Sequence, residues 1–207
     1  KRLLNFKNEN IFKIIEGSGV NTSFYYQHSI PIEKKFLMIA RIIKDKGIFE
    51  YINASKLIKK KYPNTTCSIA GWFDENPSAI NRQDFYNKIK GKIKFFENVN
   101  DIREIIKNHS IVVLPSYREG LPRSLLESMS MCRPIITTNV PGCKSTVIEN
   151  YNGLLVEPKN YLDLYAAMEK MIKFDELKKM GLNSRKLVID KFEMNLINSQ
   201  FTSLMNL

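Results

Sequence analysis

The chain has 207 residues, 43% of them hydrophobic, enough for one sizeable core. No apolar run approaches the ~20 residues of a membrane-crossing helix, and no apolar stretch follows the basic start as in a secretion signal. The formal net charge of +11 reads either as a solvated basic surface or as attraction to a polyanion, namely nucleic acid, an acidic membrane leaflet or a phosphorylated substrate. The three cysteines, Cys67, Cys132 and Cys143, match no metal spacing; Cys67 and Cys132 lie in apolar segments and read as buried free thiols, which suits a reducing cytoplasm.

Residues 1–35 read as a leader and interdomain linker, with a strand-like run, "IFKIIEGSG", ending in a glycine turn at Gly17–Gly19. Residues 36–207 read as an α/β domain with a helical tail. "FLMIA" (36–40) is a buried strand, "GIFEYINASKLIKKKYP" an amphipathic helix and "TCSIAG" (66–71) the next strand. "AINRQDFYNKIKG" is a helix ending at Gly91, "KIKFF" a strand and "DIREIIKNH" a short helix. "IVVLP" is a strand, "PRSLLESMSMC" a helix, "PIITT" (134–138) a strand and "GLLVEP" (153–158) a last short strand. From Tyr161 onward the tail is helical, most clearly in "NYLDLYAAMEKMIKF". Short apolar strands alternating with helices predict a doubly wound, Rossmann-like parallel sheet covered on both faces.

In such a sheet ligands bind beyond the carboxyl ends of the strands. "SYREGLP" follows "IVVLP" and is therefore a carboxyl-end loop. Pro122 suits a first helical turn, and Gly120 lets the backbone approach a ligand. The amides of Gly120, Leu121 and Arg123, with the helix dipole, form an anion site. Glu127 lies roughly 7 Å inside that tip at ~1.5 Å per residue. A phosphate at the tip, a ribose diol at Glu127 and a hydroxyl-bearing group at Glu119 fit this spacing. The two glutamates taken without their context are commoner as unrelated surface carboxylates; their place after a buried strand favours a ligand site. Arg41 and Lys46 fall on the same edge, where two cations can neutralise a diphosphate.

Other features carry less. No Asp-x-Asp motif or His/Cys cluster predicts a metal. His109 reads as a helix-terminal structural residue, Trp72 as a loop aromatic that packs or stacks on a base, and Met129 and Met131 as core filling. The lysine clusters "KLIKKKYP" and "KIKGKIKF" lack interleaved aromatics and form no recognition helix, so nucleic acid is not expected as a partner.

At this point "GSGV", "ARIIKDKG", "IAGWFDENPSAI", "PSYREGLPRSLLESMSMCRPIITTNVPGC" and "ENYNGLLVEP" carry a resemblance. The chain is similar to the C-terminal, donor-binding half of retaining glycosyltransferases of family four, which have the two-domain GT-B architecture. The resemblance covers nearly the whole chain and implies an enzyme of bacterial surface-glycan synthesis acting on lipid-linked or glycan acceptors. It implies that Arg41 and Lys46 hold the donor diphosphate. Glu119 would contact donor-sugar hydroxyls, with Gly120 and Leu121 supplying amides, and Glu127 would take the ribose. The Phe95–Val99 loop, with Asn98 and Val99, would border the base, and Gly17 and Gly19 would line an interdomain cleft. Retention would follow from front-face displacement without a protein nucleophile. No cofactor is expected beyond the donor substrate, a UDP-sugar. An N-terminal acceptor domain is an expected partner, without which the chain would bind donor and hardly transfer sugar. The expected location is cytoplasmic, with an anionic membrane surface as a further partner. The family pattern is broken at Pro141, where a glycine is usual, and at Ser145, where an acidic residue is usual. A nucleotide-sugar epimerase and a non-catalytic nucleotide-binding module are the alternatives.

Overall fold

The computed structural model describes residues 17–205; the strand-like run expected before Gly17 lies outside them. Six strands form one parallel sheet: β1 (Lys35–Ile39), β2 (Thr66–Gly71), β3 (Lys94–Glu97), β4 (Ile111–Leu114), β5 (Ile135–Thr138) and β6 (Gly153–Val156). Their order is β3-β2-β1-β4-β5-β6, so the chain reverses direction across the sheet between β1 and β4. This is the doubly wound arrangement that the alternation of apolar runs predicts. Every residue of β4 and β5 is buried, because helices cover both faces.

The helices are α1 (Ile48–Lys61), α2 (Arg82–Ile89), α3 (Arg103–Lys107), α4 (Arg123–Ser130), α5 (Pro141–Lys144), α6 (Tyr161–Lys173), α7 (Leu177–Phe192) and α8 (Met194–Leu204). Helix α1 packs on α6, and α4 packs on α7. Helix α1 buries Ile48, Tyr51, Ile52 and Ile58 at helical spacing and ends in three lysines. Asn81 caps α2 by accepting from the Asp84 amide at 3.1 Å, so that helix starts three residues later than the apolar pattern begins at Ala79.

The reversal point has a short ladder. β1 pairs with β4 at Phe36–Ile111 and Leu37–Val112 only. Beyond that, Met38 and Ile39 pair with β2, at Ile69 and Ala70. Val113 and Leu114 pair with β5, at Ile136 and Thr137. The sheet therefore forks at its carboxyl edge.

Residues 17–34 are riveted to the domain by two arginines. Arg133, fully buried, donates to the carbonyls of Ile106 (3.1 Å), His28 (3.3 Å), Ser29 (3.0 Å) and Lys107 (3.4 Å). Arg185 of α7 donates to the carbonyls of Ser130 (2.5 Å), Tyr25 (3.2 Å) and Thr22 (3.4 Å). Cys67, Cys132 and Cys143 are all buried free thiols.

Candidate functional site

Two connections and a helix meet over the fork. The β1–α1 connection carries Arg41 and Lys46, the β4–α4 connection carries Glu119, and α4 carries Glu127. Glycines let these connections touch backbone to backbone. Gly47 has φ +73, and a Cβ there would stand 2.1 Å from the Pro115 carbonyl oxygen. At Gly142, on the β5 side, a Cβ would stand 1.8 Å from the Gly120 oxygen and 2.4 Å from that of Glu119. Hydrogen bonds lock the contact. The Tyr117 amide donates to the Asp45 carbonyl at 2.8 Å, and the Ser116 hydroxyl donates to the same oxygen at 3.1 Å. The Tyr117 hydroxyl donates to Glu50 Oε1 at 2.7 Å, and Thr138 Oγ1 to the Ser116 carbonyl at 2.5 Å.

The fork holds a cleft of about 390 Å³. Its floor is apolar, with Ile39, Ala70, Leu114 and Ile102; its rim carries Arg41, Lys46, Glu119, Arg123 and Glu127. An adjoining hollow of about 430 Å³ shares Arg41, Lys46 and Glu119 and is bounded by Gly120. A Cβ at Gly120 would meet nothing within 4 Å, so the backbone there faces open space. Pro122 occupies the N-cap of α4 rather than its first turn and supplies no side-chain cap. The leading amides of α4 therefore point outward without intrahelical acceptors.

The charged groups are paired. Lys46 Nζ donates to Glu119 Oε1 at 2.6 Å, and Arg41 Nη1 to Asp74 Oδ2 at 2.6 Å. Arg41 holds the Asp74 carboxyl below the usual carboxylate range, with the Asn76 amide assisting. Glu127 is largely buried, with Arg123 at 3.8 Å. Burial pushes its carboxyl pKa up. The Tyr25 phenol beside it is pushed up to about 12 by burial and then by the Glu127 charge.

Arg41, Lys46, Val99, Glu119, Leu121 and Glu127 thus converge on one cleft, and Gly120 borders its neighbour. Gly17 stands against this site, since a Cβ there would fall 2.5 Å from Leu121 Cδ2. Gly19 lies elsewhere, packed on the Phe192 carbonyl at the corner between α7 and α8. Asn98 does not line the cleft. Its backbone is left-handed (φ 50), and its amide donates to the Gly71 carbonyl at 3.1 Å, which turns Val99 inward. Trp72 is half-exposed on the cleft wall rather than packed into the loop. Asp74 and Tyr25 were not singled out from the sequence. The one signal available for Tyr25 was its place in the aromatic run Phe24-Tyr25-Tyr26 of the leader. His109 is buried and bonded to the Ile105 carbonyl and the Ser68 hydroxyl, as its helix-terminal position suggested. Among the described residues no group of three or more His, Cys, Asp or Glu is placed to hold a metal ion. Two cations, outward helix amides and buried carboxylates over an apolar floor can receive an anion flanked on both sides by hydroxyl-bearing groups.

Known proteins share this fold. The C-terminal domain of a glycosyl transferase group 1 family protein (LpcC) from Francisella tularensis is 26% identical and superposes with a TM-score of 0.74, over 85% of this chain and 100% of that one. Anabaena Alr3699/HepE, crystallised with UDP and glucose, is 18% identical with a TM-score of 0.78, over 91% of this chain and 55% of that one, and shares the fold. A curated relative, the N,N'-diacetylbacillosaminyl-diphospho-undecaprenol alpha-1,3-N-acetylgalactosaminyltransferase of Campylobacter jejuni, is 30% identical over 95% of this chain and 54% of its own length. The chain spans about half the length of the curated relatives it matches. Residues 27–187 match the family model "Glycosyl transferases group 1", and the chain belongs to that family.

Proposed function

We propose that the chain is the donor-binding half of a glycosyltransferase. It holds a UDP-sugar while the sugar passes, with retention, to a lipid-linked or glycan acceptor in bacterial surface-polysaccharide synthesis. The observation that carries this reading is the convergence of Arg41, Lys46, Glu119 and Glu127 on one cleft at the sheet's reversal point. Arg41, Lys46 and the leading amides of α4 face the diphosphate. Glu127 takes the ribose hydroxyls, with Tyr25 behind it. Val99, turned by Asn98, borders the base, and Glu119, Gly120 and Leu121 meet the sugar. Gly17 and Gly19 belong to a leader and interdomain linker, residues 1–35, next to an acceptor-binding domain. The Campylobacter relative's name describes an undecaprenol-diphosphate-linked acceptor, and the Anabaena neighbour was crystallised with UDP; both support the substrate classes.

Breaking the sugar–phosphate bond develops negative charge on the departing diphosphate. Arg41, Lys46 and the α4 amides are aimed at that charge, so they lower the barrier more than they tighten ground-state binding. In front-face displacement the departing phosphate oxygen takes the acceptor's proton, and the protein supplies no nucleophile. Acceptor recognition needs the second domain, so this chain by itself binds donor and transfers little.

Calorimetric titration of UDP, with and without a metal chelator, tests the reading. Binding that persists with chelator is expected. A chain that binds none of UDP, GDP and ADP refutes the donor site, and binding abolished by the chelator refutes its metal independence.

No helix among the described residues is long and apolar enough to cross a membrane. Lys56, Lys88 and Lys92 cluster closely enough that, after burial, mutual repulsion lowers the Lys56 pKa. This basic surface supports docking at the cytoplasmic membrane face, where each cation contributes about 1 kcal/mol at most. Co-sedimentation with anionic vesicles that is lost at high salt is expected; salt-insensitive or absent sedimentation counts against it.

A further inference from the structure

The two ion pairs at the cleft have the same length, 2.6 Å, but are mounted differently. Asp74 is built into a laced loop. Its Oδ1 accepts the Asn76 amide at 3.0 Å. The surrounding segment is stitched to the β1–α1 connection: the Ile42 amide donates to the Trp72 carbonyl and the Lys44 amide to the Ser78 carbonyl, both at 2.8 Å. Arg41 remains 41% exposed at its side chain, and its guanidinium spends one N–H on Asp74. A guanidinium has five N–H donors in a rigid fork, so Arg41 can grip a phosphate without leaving Asp74.

Glu119 has no such mounting. Its carboxylate makes one hydrogen bond among the described residues, to Lys46, and nothing else fixes it. Both side chains are mostly shielded, at 16% and 12% exposure, so their charges are weakly screened. An entering diphosphate meets an attractive ammonium and a repelling carboxylate at one spot. The ammonium is a compact point charge on a flexible stem and can change partner.

Resting on the donor-site reading, we infer that Glu119 is an exchangeable counter-ion that hands Lys46 to the donor diphosphate, whereas Asp74 is a fixed positioning residue that keeps Arg41 aimed. The exchange has a selective consequence. Once released, Glu119 accepts hydroxyl hydrogen bonds from a neutral sugar. A free nucleoside diphosphate offers a terminal phosphate instead, with more negative charge and no sugar hydroxyls. Glu119 therefore favours the loaded donor over the spent one and speeds release of the spent one.

Calorimetry with UDP on the 207-residue chain separates this from simpler accounts. Glu119→Gln and Asp74→Asn each remove one negative charge from pairs of equal length. Glu119→Gln is expected to bind UDP about threefold to tenfold more tightly, because a shielded repulsion is gone. Asp74→Asn is expected to bind it about fivefold more weakly, because a charge-assisted bond that orients Arg41 is gone. A general charge effect tightens both, and a general structural effect weakens both; either parallel result overturns the inference. Asp74→Glu keeps the charge but displaces the oxygens, and it should also weaken UDP binding while melting at the parental temperature. A folded Asp74→Glu chain that binds like the parent overturns the positioning role. A parent that binds none of UDP, GDP and ADP removes the donor-site reading itself, whereas a binding parent whose variants shift in parallel removes this inference only.

Discussion

The cleft and the leader seam both hold basic side chains, yet the partners of Arg41 and Lys46 differ in kind from those of Arg133 and Arg185. In the cleft, Arg41 and Lys46 bond side-chain carboxylates. In the seam, Arg133 and Arg185 bond backbone carbonyls of the leader and of the helices beneath it. A carbonyl is a neutral dipole fixed by the chain and cannot neutralise the charge. Burial accordingly lowers the Arg133 pKa to about 10, still high enough to keep it charged at neutral pH. A carboxylate cancels charge and is replaceable by another anion. Arg133 and Arg185 tie the leader to the domain, whereas on the proposed reading Arg41 and Lys46 exchange or share their carboxylates with a ligand.

The sharpest way to break that contrast is Arg133→Met. It removes a buried charged donor that four carbonyls share, one in a buried bond and three in part-buried ones, and should cost about 3–5 kcal/mol in denaturant unfolding, while leaving UDP affinity of the folded chain unchanged. A cost under about 1 kcal/mol would show that the seam is not a rivet. Next in size is the double substitution Arg41→Ala and Lys46→Ala, read in a protein that joins this chain to the proposed acceptor-binding domain. It should depress kcat by ~100-fold or more, about 2.7 kcal/mol, with the melting temperature nearly unmoved. Near-normal kcat refutes the leaving-group role. Lys46→Arg should rescue it only in part, because a planar fork replaces a point charge. Glu127→Ala should weaken UDP binding by about 1.5–3 kcal/mol and 2′-deoxy-UDP binding by less. Equal losses for the two nucleotides would remove Glu127 from the ribose site.

The smallest effect concerns His109, a carbonyl-bound basic group whose burial keeps it neutral. Its folded pKa is lowered, chiefly by burial, so the unfolded chain takes up the proton first. Stability is full above the ordinary histidine value of about 6.5 and falls as pH drops below it toward the lowered folded value. Denaturation profiles of His109→Gln should show a flatter acid limb, with the residue due to His28, also lowered by burial. An unchanged limb would assign the acid sensitivity elsewhere.

The strands were legible because each holds a short apolar run between turn residues, fully buried in β4 and β5. The position of the reversal, between β1 and β4, was not, since strand order depends on which runs pair and periodicity is silent on that. Helix α5 escaped notice because "PGCK" has neither the length nor the periodicity of a helix. Only the general helical character of the tail was evident, not its division at Glu193. Arg41, Lys46 and Glu119 could be found because each follows a strand, and Glu127 because it lies in the helix after β4, positions that topology gathers on one edge. Asp74 and Tyr25 could not. They sit in irregular segments, and Asp74 reaches Arg41 across 33 positions of sequence. Gly142 was quoted only for its neighbours, although its lack of a side chain is what lets the Glu119 connection approach.

The two-rung ladder between β1 and β4 makes the sheet a tuning fork. Its prongs end in Met38–Ile39 and Val113–Leu114, which hold to β2 and β5 but not to each other. A molecule seated in the gap touches both prongs and acts as a clamp across them. A ladder zipped two rungs further would close the gap between the prongs and leave nowhere to put a ligand.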